Sequence, residues 1–340
     1  MAERFELRHF KDSLGNGTLP IDILDNFVQF DSKSPIPKLI FRPDAPLDEI
    51  DPEYDVDRAI WKYLRKRHDE KRIKVAKLQS TNLKSVVAEG DSWFNLPPFI
   101  GIPPAIATCI KNNGRFEMYN IAYWGHTLVE ILKDKEYFKV MEKNTPDFFI
   151  FSAGGNDIRV GLKNYVKNYS KYWDYSDKDR RIEELTCIEH LNRAMSNIIG
   201  KIKEGYEDIL DEVTKEFFEM KVFCHGYDYP RICPKKDENE TIEDEIEDED
   251  KVEYIGNHLS DLEIPYDEMD AILRPIVDEL NKAIEDAVAE YKPRAKFINL
   301  RGVASIAEFD WIDDMHPGEE GFKALAVKFE KAMSEPELLV

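Results

Sequence analysis

From residue 83 onward, short apolar runs alternate with longer amphipathic stretches. The apolar runs predict strands near residues 84–89, 117–122, 147–152, 220–225 and 296–300. The intervening stretches predict helices near residues 103–112, 127–142, 181–217 and 268–291, and a last helix at 319–333. Strands that alternate with helices favour a parallel sheet with right-handed crossovers. We therefore expect a flavodoxin-like, three-layer α/β/α fold with a central parallel sheet of about five strands.

Residues 1–82 follow a different pattern. Prolines between Pro20 and Pro52 interrupt short apolar runs such as 21–24 and 39–41. Proline at this density breaks helices and suits edge strands or extended segments. A helix is expected to follow from about residue 56 to 77. We interpret residues 1–82 as an N-terminal extension of unassigned role, packed on a main domain that spans residues 83–335.

Polar or glycine-rich turns follow all the predicted strands of the main domain. Ser92 follows the first strand, Gly125 the second, residues 154–157 the third and residues 226–229 the fourth, while residues 313–317 lie beyond the fifth. Ligands of an open parallel sheet bind beyond the carboxyl ends of its strands. The turns are therefore expected to meet at one edge, where a binding or catalytic site can form.

Four of these turns, taken in order, resemble the sequence blocks of the SGNH (GDSL) hydrolase family. They are Gly90-Asp91-Ser92, Gly125, Gly154-Gly155-Asn156-Asp157 and Asp313-Asp314-Met315-His316-Pro317. The resemblance covers about residues 83–335. The chain departs from the family locally, because Pro97 and Pro98 follow the serine and delay the next helix.

The resemblance implies a catalytic triad of Ser92, His316 and Asp313. Ser92 is the expected nucleophile, and a hydroxyl needs a base to become reactive. His316 is the expected base, because histidine changes its protonation near neutral pH. Asp313 is expected to orient the imidazole; Asp314 is the alternative for that role.

The resemblance also implies an oxyanion hole. Its donors would be the backbone N–H groups of Ser92 and Gly125 and the side-chain amide of Asn156. Such donors stabilise the charge that develops on the carbonyl oxygen during acyl transfer.

These residues predict a serine esterase that needs no metal or cofactor and removes a short acyl group through an acyl-enzyme. A carbohydrate ester is the favoured substrate, because aromatic side chains that can stack on sugars occur near the same turns. They are Trp93, Phe94, Phe99, Tyr123, Trp124, Tyr227, Tyr229 and Trp311. A lipid esterase, a thioesterase and a binding or regulatory protein without turnover remain alternatives.

Composition narrows the choice of partners. The 340 residues carry a net charge of −21, which disfavours nucleic acid as a partner. No apolar run approaches the roughly 20 residues that span a bilayer, so no membrane association is expected. The first residues lack the apolar core of a signal peptide, and a cytoplasmic location is expected. The basic stretch at 62–77 is interpreted as a solvated helix face, with phosphate or an acidic partner as the alternative. The sequence leaves the oligomeric state open.

Metal sites are not expected either. Cys109, Cys187, Cys224 and Cys233 are scattered, which favours buried thiols over a disulfide scaffold. Cys224, His225 and Cys233 lie close in sequence but lack the second ligand pair of a zinc site. The acidic insert at 237–253 lacks the ligand spacing of a calcium loop and is interpreted as a mobile surface loop.

Overall fold

A five-stranded parallel sheet lies at the centre of the protein, in a computed structural model that describes residues 5–31, 34, 37–78, 83–98, 102–162, 166, 193–232, 255–305 and 309–335. The strands of this sheet are β3 (Lys84–Glu89), β4 (Phe116–Asn120), β5 (Phe148–Phe151), β6 (Lys221–His225) and β7 (Ala295–Ile298). Their spatial order is β4-β3-β5-β6-β7, and every neighbouring pair is parallel. Numbered along the chain, this is the 2-1-3-4-5 order of flavodoxin-like folds. The predicted fold is confirmed.

Helices cover the sheet. In the main part of the chain they are α3 (Ile106–Asn112), α4 (Leu128–Asp134), α5 (Glu136–Asn144), α6 (Gly155–Val160), α7 (Arg193–Glu216), α8 (Gly256–Ser260), α9 (Tyr266–Ala289) and α10 (Glu319–Ser334). Helices α3 and α10 pack against each other, and so do α7 and α9. The central strands are buried on both faces: all of β5 and the last four residues of β3 are inaccessible or nearly so. Burial on both faces explains why these strands read as continuous apolar runs.

The helices of the main part of the chain differ from the predictions in two respects, and one prediction lies partly outside the described residues. The expected helix at 127–142 is two helices, because Lys135 adopts a left-handed conformation (φ 45°) that ends α4. The short helices α6 and α8 were not predicted, because five or six residues contain too little periodicity to be recognised. Residues 181–192 of the expected helix at 181–217 lie outside the described residues, as do Cys187, Cys233 and the acidic insert.

The N-terminal segment contains more helix than its prolines indicated. Helix α1 (Leu7–Asn16) buries Leu7, Phe10 and Leu14 on one face and ends at Gly17, whose φ is 77°. A 3₁₀ helix (Ile21–Asn26) occupies the run that had suggested a strand, and Pro20 precedes its first residue. Strands β1 (Val28–Phe30) and β2 (Leu39–Phe41) form a separate antiparallel pair, and α2 spans Val56–Leu78. The α2 prediction is confirmed, and the strand or extended conformation expected of the run 21–24 is wrong, because this run forms the 3₁₀ helix.

The basic side chains at the start of the 62–77 stretch bond to the protein itself. Arg65 forms an ion pair with Glu136, and its side chain is only 18% exposed. Arg67 donates to the Leu19 carbonyl at 3.0 Å and to the Tyr63 hydroxyl at 2.6 Å. These contacts hold α2 against the rest of the chain, so this part of the stretch is not a purely solvated face. Among the described residues, no helix is long and apolar enough to cross a membrane.

Candidate active site

Ser92 lies in a tight turn directly after β3. The Asp91 carbonyl accepts the N–H groups of Phe94 and Asn95, both at 3.1 Å, and the Asp91 carboxylate accepts the N–H of Trp93 at 3.0 Å. Gly90 precedes this turn because a side chain would not fit: a Cβ there would lie 2.5 Å from the Ser152 carbonyl oxygen of the neighbouring strand end. The close approach of two backbones therefore explains the glycine of the Gly90-Asp91-Ser92 motif.

Asp313 and His316 lie in a closed loop before α10. The loop is held by hydrogen bonds from the Gly318 N–H to the Asp310 carbonyl, at 2.6 Å, and from the Ile312 N–H to the His316 carbonyl, at 3.0 Å. Asp313 Oδ1 accepts the N–H groups of Met315, at 2.8 Å, and His316, at 2.7 Å. The carboxylate is thus oriented by the backbone of its own loop.

Ser92, His316 and Asp313 form one continuous hydrogen-bonded chain. His316 Nε2 is 2.7 Å from Ser92 Oγ, and His316 Nδ1 is 2.7 Å from Asp313 Oδ2. Asp314 faces away from the imidazole: its Oδ2 accepts the N–H groups of Ile255 and Gly256. The geometry therefore places Asp313, and not Asp314, beside the imidazole. A serine, a base and a group that orients the base in this arrangement can perform nucleophilic acyl transfer.

Gly125 and Asn156 lie at the ends of the strands on either side of β3. Gly125 belongs to the turn 122–126 after β4, and Asn156 is the second residue of α6, which follows β5. The Asn156 side-chain amide donates to the His126 carbonyl at 2.8 Å, so it contacts the turn that contains Gly125. Among the described residues, no protein acceptor is found for the backbone N–H of Ser92 or of Gly125. N–H groups without a protein acceptor are suited to bind an oxyanion.

The reacting groups are buried. Ser92, Asn156 and His316 are each 1% exposed. Burial raises the pKa of the neighbouring Asp91 to about 6, although the Tyr227 hydroxyl, 2.5 Å from Asp91 Oδ2, and the Trp93 N–H lower it. A site with little water strengthens the electrostatic interactions within it.

A cavity of about 70 Å³ lies beside these residues. The chain neighbours of Ser92, Asn156 and His316, namely Trp93, Gly155 and Met315, all line it. Apolar side chains form most of the remaining wall: Ile158, Leu162, Ile255, Leu273, Ile276, Val277 and Leu280. The cavity is therefore suited to an apolar group attached to a carbonyl at Ser92.

Several residues around the site were given no individual role by the sequence analysis. Asp157 Oδ2 accepts the N–H of Leu128 at 2.8 Å, which fixes the start of α4 to α6. Asp228 accepts three backbone N–H groups and the Ser305 hydroxyl from the 302–305 turn, which it holds, and it also accepts the N–H of Tyr229. His126 and Glu89 form a buried pair, with 3.6 Å between His126 Nδ1 and Glu89 Oε1. Buried polar residues need partners. An acid at the end of an apolar strand, such as Glu89, was therefore the sequence feature that could have indicated a buried polar pair near the site.

The aromatic residues predicted to crowd this edge are mostly core. Buried members of the set are Trp93, Phe94, Tyr123, Trp124, Tyr227 and Trp311. Tyr229 is half-buried, and its hydroxyl donates to Asp278 Oδ1 at 2.9 Å; Phe99 lies outside the described residues. The described aromatic side chains therefore do not form an exposed stacking surface.

Cys224 is buried at the end of β6, and burial raises the pKa of its thiol. Burial also lowers the pKa of the adjacent His225 to about 4, and its Nδ1 lies 2.5 Å from the Gly226 carbonyl oxygen. Among the described residues, no group of three or more side chains is arranged to hold a metal ion.

Comparison with known proteins finds similarity in structure only. No protein-family model and no curated protein sequence matches the chain. The solved structures similar to it include a candidate GDSL-like lipase from Parabacteroides merdae (13% identity, 74% of this chain and 98% of the other, TM-score 0.43). They also include an extracellular lipase from Streptomyces rimosus (12%, 73% and 99%, TM-score 0.44). A third is a variant of an acetyl xylan esterase from Geobacillus stearothermophilus (12%, 73% and 93%, TM-score 0.40). At these identities and TM-scores the likeness carries no conclusion about activity or substrate.

Proposed function

We propose that the protein is a serine esterase that hydrolyses short acyl esters through an acyl-enzyme. The observation that carries this proposal is the chain of two 2.7 Å contacts from Ser92 Oγ through His316 to Asp313. A serine without a role in catalysis has no need of a buried histidine at hydrogen-bond distance, oriented in turn by a buried carboxylate.

In the first half of the reaction, Ser92 Oγ attacks the ester carbonyl carbon while its proton passes to His316 Nε2. The carbonyl oxygen becomes an oxyanion and accepts hydrogen bonds from the N–H groups of Ser92 and Gly125 and from the Asn156 amide. The intermediate collapses, the bond to the alcohol oxygen breaks, and His316 gives its proton to the departing alcohol. Asp313 stabilises the positively charged imidazole throughout.

In the second half, water replaces the alcohol. His316 removes a proton from the water as the oxygen attacks the acyl carbon, a second oxyanion forms at the same donors, and Ser92 leaves with the proton returned by His316. The carboxylic acid is the product. No metal or organic cofactor takes part in this mechanism.

The cavity supports a short acyl group. Its volume of about 70 Å³ is enough for a few carbon atoms. The sequence-based preference for a carbohydrate ester depended on accessible aromatic rings. All the described rings of that set except the half-buried Tyr229 are buried, so they give the alcohol half of the ester little support. We therefore propose a short acyl group on the basis of the cavity, and the alcohol half of the ester is to be identified with a panel of substrates.

A fluorophosphonate probe tests the proposal. Intact-mass and peptide analysis should find one adduct, on Ser92, and p-nitrophenyl acetate should be hydrolysed. Ser92→Ala should lose both. Ser85→Ala is the matched control, because Ser85 lies at the opposite end of the same strand and bonds to Asp147. A wild-type protein without adduct, and with no more ester hydrolysis than Ser92→Ala, would favour a binding protein instead.

Acyl specificity is measured with the same enzyme. p-Nitrophenyl acetate, butyrate and octanoate, acyl thioesters, lysolipids and acetylated sugars form the panel. The proposal expects kcat/KM to fall from short to long acyl chains. A preference for octanoate or for lysolipids contradicts the short-acyl part while leaving the serine esterase mechanism intact.

A further inference from the structure

The turn 122–126, which contains Gly125, is held by side chains of the N-terminal segment. Trp61 Nε1 donates to the Ala122 carbonyl at 3.1 Å, and Trp124 Nε1 donates to Asp57 Oδ1 at 2.7 Å. The Tyr123 hydroxyl donates to Asp57 Oδ2. Asp57 and Trp61 are one turn apart on α2, so a single helix end contacts three consecutive residues of the turn.

Asp57 is the centre of these contacts. It is 4% exposed, and its Oδ1 also accepts the N–H of Leu39 at 3.0 Å. Burial raises the pKa of Asp57, while the bonds from Tyr123, Leu39 and Trp124 lower it. A buried carboxylate is costly unless its oxygens are hydrogen-bonded. The donors from the turn therefore stabilise Asp57, and Asp57 in return fixes the turn.

Arg58 strengthens the same contact. Its guanidinium lies 4.5 Å from the ring centre of Trp61 and 5.0 Å from that of Tyr123. Nη1 lies 3.4 Å from His126 Nε2, and Nη2 is 3.2 Å from Asp134 Oδ2. The imidazole of His126 faces Glu89 on its other side. The last residue of the turn is thus fixed between the N-terminal helix and the end of β3.

The opposite side of the turn rests on the catalytic residues' own elements. The Tyr123 N–H donates to the Gly90 carbonyl at 2.9 Å, and Asn95 Nδ2 donates to the Ala122 carbonyl at 2.7 Å. Asn156 Nδ2 donates to the His126 carbonyl. The turn is therefore clamped between the Ser92 and Asn156 segments on one side and α2 on the other. A displacement of about an ångström is enough to weaken a catalytic donor strongly.

We propose that the N-terminal segment is part of the active site, with Asp57 as a positioning residue that fixes the turn 122–126 and so the oxyanion donor Gly125. This rests on the proposed esterase function. It assigns a role to a segment whose sequence carries no catalytic motif.

Kinetics of Asp57 variants test the inference. Asp57→Ala should lower kcat for p-nitrophenyl acetate roughly 10²-fold, as loss of one oxyanion donor does, with KM changed less than about threefold. Asp57→Asn should recover most of kcat, because its oxygen still accepts from Trp124 and its NH₂ donates to the Tyr123 oxygen. Tyr123→Phe keeps the ring and removes one hydrogen bond, whereas Trp61→Phe replaces the indole with a smaller ring and removes its hydrogen bond to the Ala122 carbonyl. They should lower kcat about three- to tenfold and provide the test if Asp57→Ala does not fold.

Glu330→Ala is the matched control. Glu330 is a buried acid (5% exposed) whose Oε1 accepts from Asn113 Nδ2 at 2.6 Å, far along the chain from the turn. It should lower the melting temperature about as much as Asp57→Ala but leave kcat per folded molecule within about twofold of wild type. The inference is overturned if Asp57→Ala, Tyr123→Phe and Trp61→Phe all retain kcat. If the wild type itself takes up no fluorophosphonate and hydrolyses no ester, the esterase proposal fails, and this inference with it.

Discussion

Replacing Asp313 with asparagine tests the orientation of the base most directly. In the wild type, Asp313 Oδ1 accepts two backbone N–H groups and Oδ2 faces His316 Nδ1. Asparagine has only one oxygen, and the two backbone donors require it. The NH₂ of Asp313→Asn therefore faces His316 Nδ1 and donates to it. A neutral imidazole that accepts at Nδ1 carries its hydrogen on Nε2, so it points an N–H at the Ser92 hydroxyl that it should deprotonate.

The size of the effect follows from the two amide orientations. The favoured orientation gives the wrong tautomer, which costs a serine triad about 10⁴ in kcat. The reversed orientation restores the tautomer but leaves two buried N–H groups without an acceptor, at roughly 1–3 kcal/mol each. The easier route therefore still costs about 10²–10⁴ in kcat. KM should change little, because neither orientation alters the acyl cavity.

Initial rates with p-nitrophenyl acetate and fluorophosphonate labelling followed by mass spectrometry measure this loss, and circular dichroism verifies folding. Asp314→Asn is the control, since the Asp314 carboxylate accepts from Ile255 and Gly256 and not from His316. It should keep kcat within about threefold of wild type. The reasoning is refuted if folded Asp313→Asn retains kcat within about tenfold, or if Asp314→Asn loses as much as Asp313→Asn.

Three further predictions concern stability and specificity. Burial raises the pKa of Asp91 from 3.8 to about 6, so its contribution to stability is present below pH 4 and is lost as the pH rises through 6, by up to roughly 3 kcal/mol. Asp91→Asn has no carboxyl group to titrate, so its stability does not contain this pH-dependent contribution. In urea unfolding, the stability of Asp91→Asn relative to wild type should therefore rise between pH 4 and 7. A stability difference that is independent of pH contradicts the prediction. Gly90→Ala should lower stability by about 1–3 kcal/mol and reduce ester hydrolysis, because the added Cβ meets the Ser152 carbonyl. Gly15→Ala, where nothing lies within 4 Å of the added Cβ, should not be destabilised in thermal melts, and equal losses would refute the steric explanation. Ile276→Phe narrows the cavity and should lower kcat/KM for butyrate about tenfold more than for acetate. If the ratio of the two kcat/KM values is the same as in wild type, the cavity does not bind the acyl group.

The central sheet could be predicted from the sequence because its strands are buried on both faces. A continuous apolar run such as Phe148–Phe151 is typical of a strand that is covered on both faces. Short or interrupted elements were harder to predict from the sequence. The break at Lys135 depends on a left-handed backbone conformation that the residue type does not indicate. Helix α6 has six residues, too few to show a helical period of apolar positions. Helix α1 does bury Leu7, Phe10 and Leu14 at helical spacing, but the prolines that follow obscured the pattern.

The sequence by itself determined the order of the motifs and the chemistry available in them: a serine and an amide that follow two of the strands, and a carboxylate and a histidine in the segment beyond the last strand. Local spacing was sufficient for this because the carboxyl ends of parallel strands share one edge. Only the tertiary structure decided which carboxylate contacts the imidazole, since Asp313 and Asp314 are neighbours whose oxygens point to different partners. It also decided that the aromatic residues are core and that Asp57 and Trp61 reach the turn around Gly125. The contacts of Asp57 and Trp61 with the turn join residues more than 60 positions apart. Side-chain direction across such distances depends on packing, which no local pattern encodes.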